Sequence, residues 1–193
     1  MPEPAPVLVA VAHGSADPRA AATIGELMAV VAERAAARGR RPLDLRTAYL
    51  GHAPPSLPQV MGTIEPGRQV RVLPLLLTAA YHSKSDIPRT LARTGSDFPR
   101  LGVSYGATLG PHPLLLRALE RRLADADPEG HERARTGVVL ASAGSSDPEA
   151  NATIVRLAAR WQDRGGWFAV RPAYASAADP SPAAAVTGLL QAG

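Results

Sequence analysis

The chain has 193 residues, enough for one moderate domain or two small ones, and 46% hydrophobic with 20% charged residues is the composition of an ordinary globular protein. It has no cysteine, which excludes disulfides and thiolate metal sites and leaves His nitrogen and carboxylate oxygen as the main ligands for any metal. The formal charge of +4 comes from arginines scattered over helix faces, and aromatics at 4% offer no stacking platform for bases, so nucleic acid is not the expected partner.

No apolar stretch reaches the length of a bilayer span, and Met1-Pro2-Glu3-Pro4 lacks the basic start and apolar core of a signal peptide. A cytoplasmic protein without a membrane partner is the expectation. Val7 to Ala12 is a short continuous apolar run, as in a strand buried on both faces of a parallel sheet. It runs into His13-Gly14-Ser15-Ala16-Asp17-Pro18-Arg19. Gly14 and Asp17-Pro18 mark a loop, and an amphipathic helix follows with Ile24, Leu27, Met28 and Val31 on one face. Gly39 ends that segment and Leu43 to Leu50 reads as a second strand. After Gly51-His52-Ala53-Pro54-Pro55, Ser56 is placed to cap a short helix through Ile64.

The run Val72 to Leu77, broken only by Pro74, predicts another buried strand. A polar loop carrying Tyr81, His82 and Lys84 leads from it to a helix start at Asp86 and Pro88, a helix that fades near Gly95. Val103 to Ala107 is a further strand. Gly110-Pro111-His112-Pro113 then introduces an apolar helix, Leu114 to Leu123, and a polar linker follows from Ala124 to Arg135. Alternating strands and helices predict an α/β fold with a doubly wound, flavodoxin-like parallel sheet. Ligands bind such sheets at the carboxyl ends of the strands. In the strand order 2-1-3-4, His13 and His82 would look into one crevice.

Past the linker the sequence repeats itself. After the strand Val138 to Ala141, Ser142 to Ala150 mirrors Ala12 to Ala20 at an offset of 130, and Ala22-Thr23-Ile24 recurs as Ala152-Thr153-Ile154. The expected buried positions Ile24, Leu27 and Val31 map to Ile154, Leu157 and Trp161. Arg46 to Tyr49 answers to Arg171 to Tyr174, and Pro55-Ser56 to Pro180-Ser181. The expected organisation is therefore two tandem copies of one unit. Residues 1–123 form a first domain carrying the site, 124–135 a linker, and 136–193 a degenerate, shortened repeat. The second copy ends before any counterpart of the strand 72–77. Its missing strands would then be supplied by a partner, as in a homodimer, unless the chain itself is shortened. At the position of His13 the second copy has Ala143, so the turn recurs without its imidazole.

Three segments together, AHGSADPRA at 12–20, PLLLTAAYHSKSDIP at 74–88 and LGPHPLL at 109–115, resemble the CbiX/SirB family of class II chelatases. The resemblance covers the first half almost end to end, and the duplicated second half is similar to the long, two-domain members. It implies insertion of a divalent metal into sirohydrochlorin in siroheme or cobalamin supply, with His13 and His82 as the metal-binding and catalytic histidines. It implies no cofactor beyond the substrate metal, Co2+ or Fe2+, with Ni2+ also suited to these ligands. Family members commonly carry an acidic residue after the aromatic-leucine pair that ends the second strand. Here Tyr49-Leu50 is followed by Gly51. His52 is next in line, but adjacent strand residues point to opposite faces. That favours a two-histidine site completed by water over one that uses His52.

Imidazole suits both metal transfer and proton acceptance, because its ordinary pKa of about 6.5 leaves it neutral and basic near pH 7. The carboxylates of the macrocycle would need donors, for which Lys84, Arg19, Tyr81 and the Gly14-Ser15 amides are candidates. His13 as a loop histidine bonded to backbone is the bland alternative. His112, between two prolines at a helix start, suits capping as well as ligation; His131 is expected to be simply solvated, and Asp86 to be a cap. A metal- or tetrapyrrole-binding module without turnover is the alternative function. A phosphoryl-transfer enzyme using His13 as nucleophile ranks last, since such enzymes need Arg directly before the His and here stands Ala12.

Overall fold

In the computed structural model, which describes residues 5–77, 93 and 97–193, the chain divides into two compact units, Met1–Leu109 and Gly110–Gly193. In the first unit, strands β1 (Val7–Ala12), β2 (Asp44–Tyr49), β3 (Gln69–Pro74) and β4 (Gly102–Tyr105) form a parallel sheet in the order β2-β1-β3-β4. This is the expected order, and it explains the sequence of β1. An interior strand of a parallel sheet is covered on all sides, and every residue of VLVAVA except Leu8 is buried.

Helix α1 (Pro18–Ala36) follows β1 and the short helix α2 (Leu57–Met61) follows β2. The chain steps from β1 to β2 on one side and from β2 to β3 on the other. Right-handed crossovers in opposite directions put the two helices on opposite faces. On the α2 face, Leu57, Val60, Met61 and Ile64 pack with Val7, Val9, Val11, Ala48, Val70 and Val72 into the core. Burial of each such large side chain contributes about 1.5–3 kcal/mol. Ser56 caps α2 as expected: its hydroxyl accepts from Gln59 N, and the Gln59 side chain accepts from Ser56 N at 2.7 Å.

The other face is shallower. Helix α1 has no fully buried side chain; Ile24 and Met28 are half-buried, whereas Leu27 and Val31 remain 40% and 37% exposed, against expectation. The residues of β1 pointing that way are Leu8, Ala10 and Ala12, and two alanines give a helix little depth to enter. Strand β3 also starts earlier than its apolar run, at Gln69, because it alternates exposed and buried residues before Pro74, which lacks a ladder donor, ends it.

The second unit contains α3 (Pro113–Ala126), a 3₁₀ turn (Arg133–Arg135), β5 (Gly137–Ser142), α4 (Pro148–Gly165), β6 (Ala169–Tyr174) and α5 (Pro182–Ala192). Strands β5 and β6 pair in parallel. The boundary between the units differs from the sequence reading. Leu116, Leu119 and Leu123 lie on one stripe of α3 and pack on Val138, Leu140, Ala158, Trp161 and Val170, so this helix belongs to the second unit's core. The segment 124–135 is likewise not a free linker. Arg133 donates to Glu120 at 2.7 Å and to the Gly165 carbonyl at 3.1 Å, and its guanidinium sits 4.4 Å from the centre of the Trp167 ring. The indole N–H groups of Trp161 and Trp167 both donate to the same Glu120 carboxylate. Burial pushes that carboxyl up, but these hydrogen bonds and the Arg133 charge outweigh burial and hold it below its ordinary value. Among the described residues no helix is long and apolar enough to cross a membrane.

Candidate metal centre

The loops after β1, β2 and β3 leave the first sheet at one edge, since Ala12 faces Tyr49 and Val11 faces Pro74 in the register. Backbone pairing continues past the strand ends. Leu50 N donates to the Ala12 carbonyl at 3.0 Å, and Gly51 N to the His13 carbonyl at 3.1 Å. His13 is therefore held at a fixed place on the sheet edge while its side chain stays exposed. Gly14 follows with φ +88°, and a Cβ there would stand 1.8 Å from the Gly51 carbonyl oxygen. Only glycine allows the two loops to approach this closely. The Ser15 hydroxyl accepts from Asp17 N at 3.1 Å, and Asp17 caps α1 by accepting from Arg19 N at 3.0 Å. The exposed Arg19 side chain folds back on Asp17, its Nε 3.0 Å from both carboxylate oxygens, and this bond holds the Asp17 carboxyl below its usual range.

His52 lies where strand alternation does not reach. Strand β2 ends at Tyr49, whose N–H donates to the Pro55 carbonyl at 2.9 Å and closes the loop between them. Within that loop Ala53 N donates to the Gly51 carbonyl at 2.8 Å, and the chain reverses about His52 at φ +61°. The reversal brings the His52 ring parallel to that of His13, with 6.3 Å between centroids and 7° between planes. The expectation that His52 faces away from the site is thus corrected: it sits on a turn, where the period of two does not apply.

Of the residues singled out in the sequence, His13, Gly14, Ser15 and Arg19 come together on this edge. Tyr81, His82 and Lys84, with Asp86, lie outside the described residues. The strand leading to them is placed, since Leu75 N donates to the Val11 carbonyl at 2.8 Å directly beside the exit of β1. Among the described residues no three His or carboxylate groups cluster as a metal site; His13 and His52 are the imidazoles that lie side by side at this edge. In the second unit, His112 caps α3, with Leu114 N donating to its Nδ1 at 3.2 Å. His131 is not merely solvated: its Nδ1 lies 2.6 Å from an Asp127 oxygen, and that bond holds the Asp127 carboxyl below its ordinary value.

The same turn is built again in the second unit. Gly144 has φ +87°, with 1.8 Å between an added Cβ and the Ser176 carbonyl; Ser176 N donates to the Ala143 carbonyl at 3.0 Å, and Ala177 has φ +58°. Asp147 N donates to Ser145 Oγ at 3.1 Å, as Asp17 N does to Ser15. Where the first copy carries His13 and His52, the second carries Ala143 and Ala177. Carried three residues past Pro172-Ala173-Tyr174, the repeat alignment pairs His52 with an alanine just as it pairs His13 with one, and that parallel was the signal for His52 in the sequence.

A parallel sheet covered by helices, with two imidazoles side by side where its strands end, places the chain among the α/β proteins that bind ligands at the carboxyl ends of their strands. The CbiX family pattern matches residues 7–126 and 137–193, and the chain belongs to that family. It is 34% identical over 112 residues to the sirohydrochlorin ferrochelatase of Bacillus subtilis (strain 168), covering 58% of this chain and 42% of that protein. It is 30% identical over 116 residues to the sirohydrochlorin cobaltochelatase of Priestia megaterium, covering 58% and 38%. The chain therefore spans less than half the length of these two relatives. Among solved structures, SirB from Bacillus subtilis with Fe3+ superposes with a TM-score of 0.75 at 26% identity, over 94% of this chain and 70% of that one.

Proposed function

We propose that the chain inserts a divalent metal, Co2+ or Fe2+, into sirohydrochlorin at the sheet edge marked by His13, with His82 as the second histidine that the family motif implies. The observation that carries this reading is the exposed His13 imidazole, fixed by backbone pairing at the carboxyl edge of the sheet in a member of the CbiX family. The names of the relatives supply the substrate, and both iron and cobalt occur among them.

The chemistry asks for an ion held loosely, a base, and an open approach. Insertion of M2+ into the macrocycle releases the two pyrrole N–H protons, so the site must accept two protons as the four nitrogens take the metal. Imidazole nitrogen binds borderline ions such as Fe2+, Co2+ and Ni2+ and accepts protons near neutral pH. An exposed ring on a rigid edge lets a flat substrate reach an ion already bound. The carboxylates of the macrocycle find the Arg19 guanidinium and, in this reading, the Ser15 peptide N–H, with Lys84 as a further cation.

Incubation of the protein with sirohydrochlorin and Co2+ or Fe2+ tests the proposal. Conversion of the free macrocycle spectrum to that of the metal complex is expected to outrun a protein-free control. Binding of both partners without faster conversion would replace the enzyme with a binding module, a role to which the missing carboxylate at Gly51 is suited.

A further inference from the structure

Resting on the reading above for the nature of the ion, we propose that His52 contacts the metal substrate directly, so that His13 and His52 receive one divalent ion between them. Two imidazoles that ligate one ion through bonds of about 2.1 Å have their ring centroids on the order of 5–6.5 Å apart. The observed 6.3 Å lies in that range; the rings stand stacked and parallel, so turning about χ1 and χ2, with His13 Nδ1 leaving the Gly14 carbonyl now 3.3 Å away, would aim a nitrogen of each exposed side chain at a common point.

The bland alternative is that His52 serves the turn. The second unit argues against it. Ala177 holds the same left-handed conformation, φ +58° against +61°, so an alanine builds this turn and no imidazole is required. A non-glycine residue at positive φ is strained wherever it stands. The fold therefore bears this strain in both copies, and only in the first does the position carry a metal-ligating group. Nor does packing explain the ring, which lies in solvent beside His13. The two imidazoles are present together in one copy and absent together from the other, at positions 39 residues apart in the chain, as residues with one task would be.

The test uses the full chain with Co2+ alone, without tetrapyrrole, followed by calorimetry and by the visible ligand-field absorption of the bound ion. His52→Ala is expected to weaken Co2+ binding by at least about tenfold, the lower end of what loss of even a supporting group costs. It should also shift the Co2+ absorption bands, because a nitrogen donor is exchanged for water. His52→Asn, with a side chain tolerated at positive φ, keeps the turn and should do the same. Wild-type affinity and an unchanged spectrum in both variants would overturn the assignment, whether or not His13→Ala loses the ion. Co2+ binding that depends on His52, in a protein that does not speed conversion of sirohydrochlorin, would leave this inference standing and remove the chelatase reading instead.

Discussion

The two copies of the strand-turn-helix unit agree in their backbone and differ in what they display. Each has a glycine at φ near +88° pressed against the carbonyl of the neighbouring loop, a serine hydroxyl holding the next turn, an aspartate capping the helix and a non-glycine residue at φ near +60°. What they share is what the sheet edge needs in order to fold. What only the first has, His13 and His52, folding does not need. An internal duplicate thus separates scaffold from chemistry within a single chain. Gly14 and Ser15, read from the sequence as substrate contacts, recur as Gly144 and Ser145 and so belong to the scaffold as well.

The largest effect expected from this comparison is on activity. His13→Ala and His82→Ala should each abolish metal insertion with an unchanged circular dichroism spectrum, since Ala143 already shows the turn without its imidazole. Calorimetry that finds unchanged Co2+ affinity in both would refute the ligand assignment.

Next comes a matched pair. Gly14→Ala and Gly144→Ala each place a Cβ 1.8 Å from a backbone oxygen and force φ near +88° on alanine. Each should destabilise its own unit by about 1–3 kcal/mol, the range for strained backbone, with the collision adding to it. Only Gly14→Ala should also lose chelation. Equal loss of activity in the two variants would mean that the second turn takes part in the reaction, and the contrast drawn here would fail.

A smaller effect concerns what supports the second unit. The Glu120 carboxyl has a folded pKa below its unfolded value of about 4.5. Its stabilising contribution is therefore complete above that value and is lost as pH falls through the folded pKa. Acid titration below about pH 4.5 should weaken the second unit, and Glu120→Gln should flatten that dependence while lowering stability at neutral pH by about 1.5–3 kcal/mol, the worth of a charged hydrogen bond. Denaturation midpoints measured at pH 7 and pH 4 give both numbers. An unchanged slope in the variant would show that the Trp161, Trp167 and Arg133 bonds do not carry the unit's acid response.

Much of this was legible in the sequence. The apolar runs at 7–12 and 72–77, the loop at Asp17-Pro18, the cap at Ser56, the repeat and the strand order all follow from local rules of burial and turn chemistry. Three things were misread, two because they depend on where an element packs and one because a turn was taken for a strand. Leu116, Leu119 and Leu123 read the same whichever core receives them, so the helix 113–126 was assigned to the unit before it. His52 was judged by strand parity, although Pro54-Pro55 close by already argued for a turn. Exposure of Leu27 and Val31 follows from the alanines of β1 across the sheet, which periodicity within α1 cannot report.

The smallest effect tests a place where the second copy has the side chain and the first lacks it. Asn151 accepts from Ser145 N at 3.1 Å and donates to the Ser145 carbonyl at 2.7 Å, clamping that peptide, whereas position 21 in the first copy is alanine. Ala21→Asn should rebuild the clamp on Ser15. The two hydrogen bonds add about 0.5–1.5 kcal/mol each, while asparagine in a helix costs up to about 0.7 kcal/mol against alanine. The net is a rise in melting temperature of a few degrees, on the order of 4–8 °C per kcal/mol for a unit of this size. If the Ser15 amide meets a substrate carboxylate, the same variant should raise KM for sirohydrochlorin several-fold and leave kcat near wild type, the signature of lost uniform binding. A higher melting temperature with KM unchanged would assign the Ser15 peptide to the scaffold and leave Arg19 and Lys84 as the carboxylate partners.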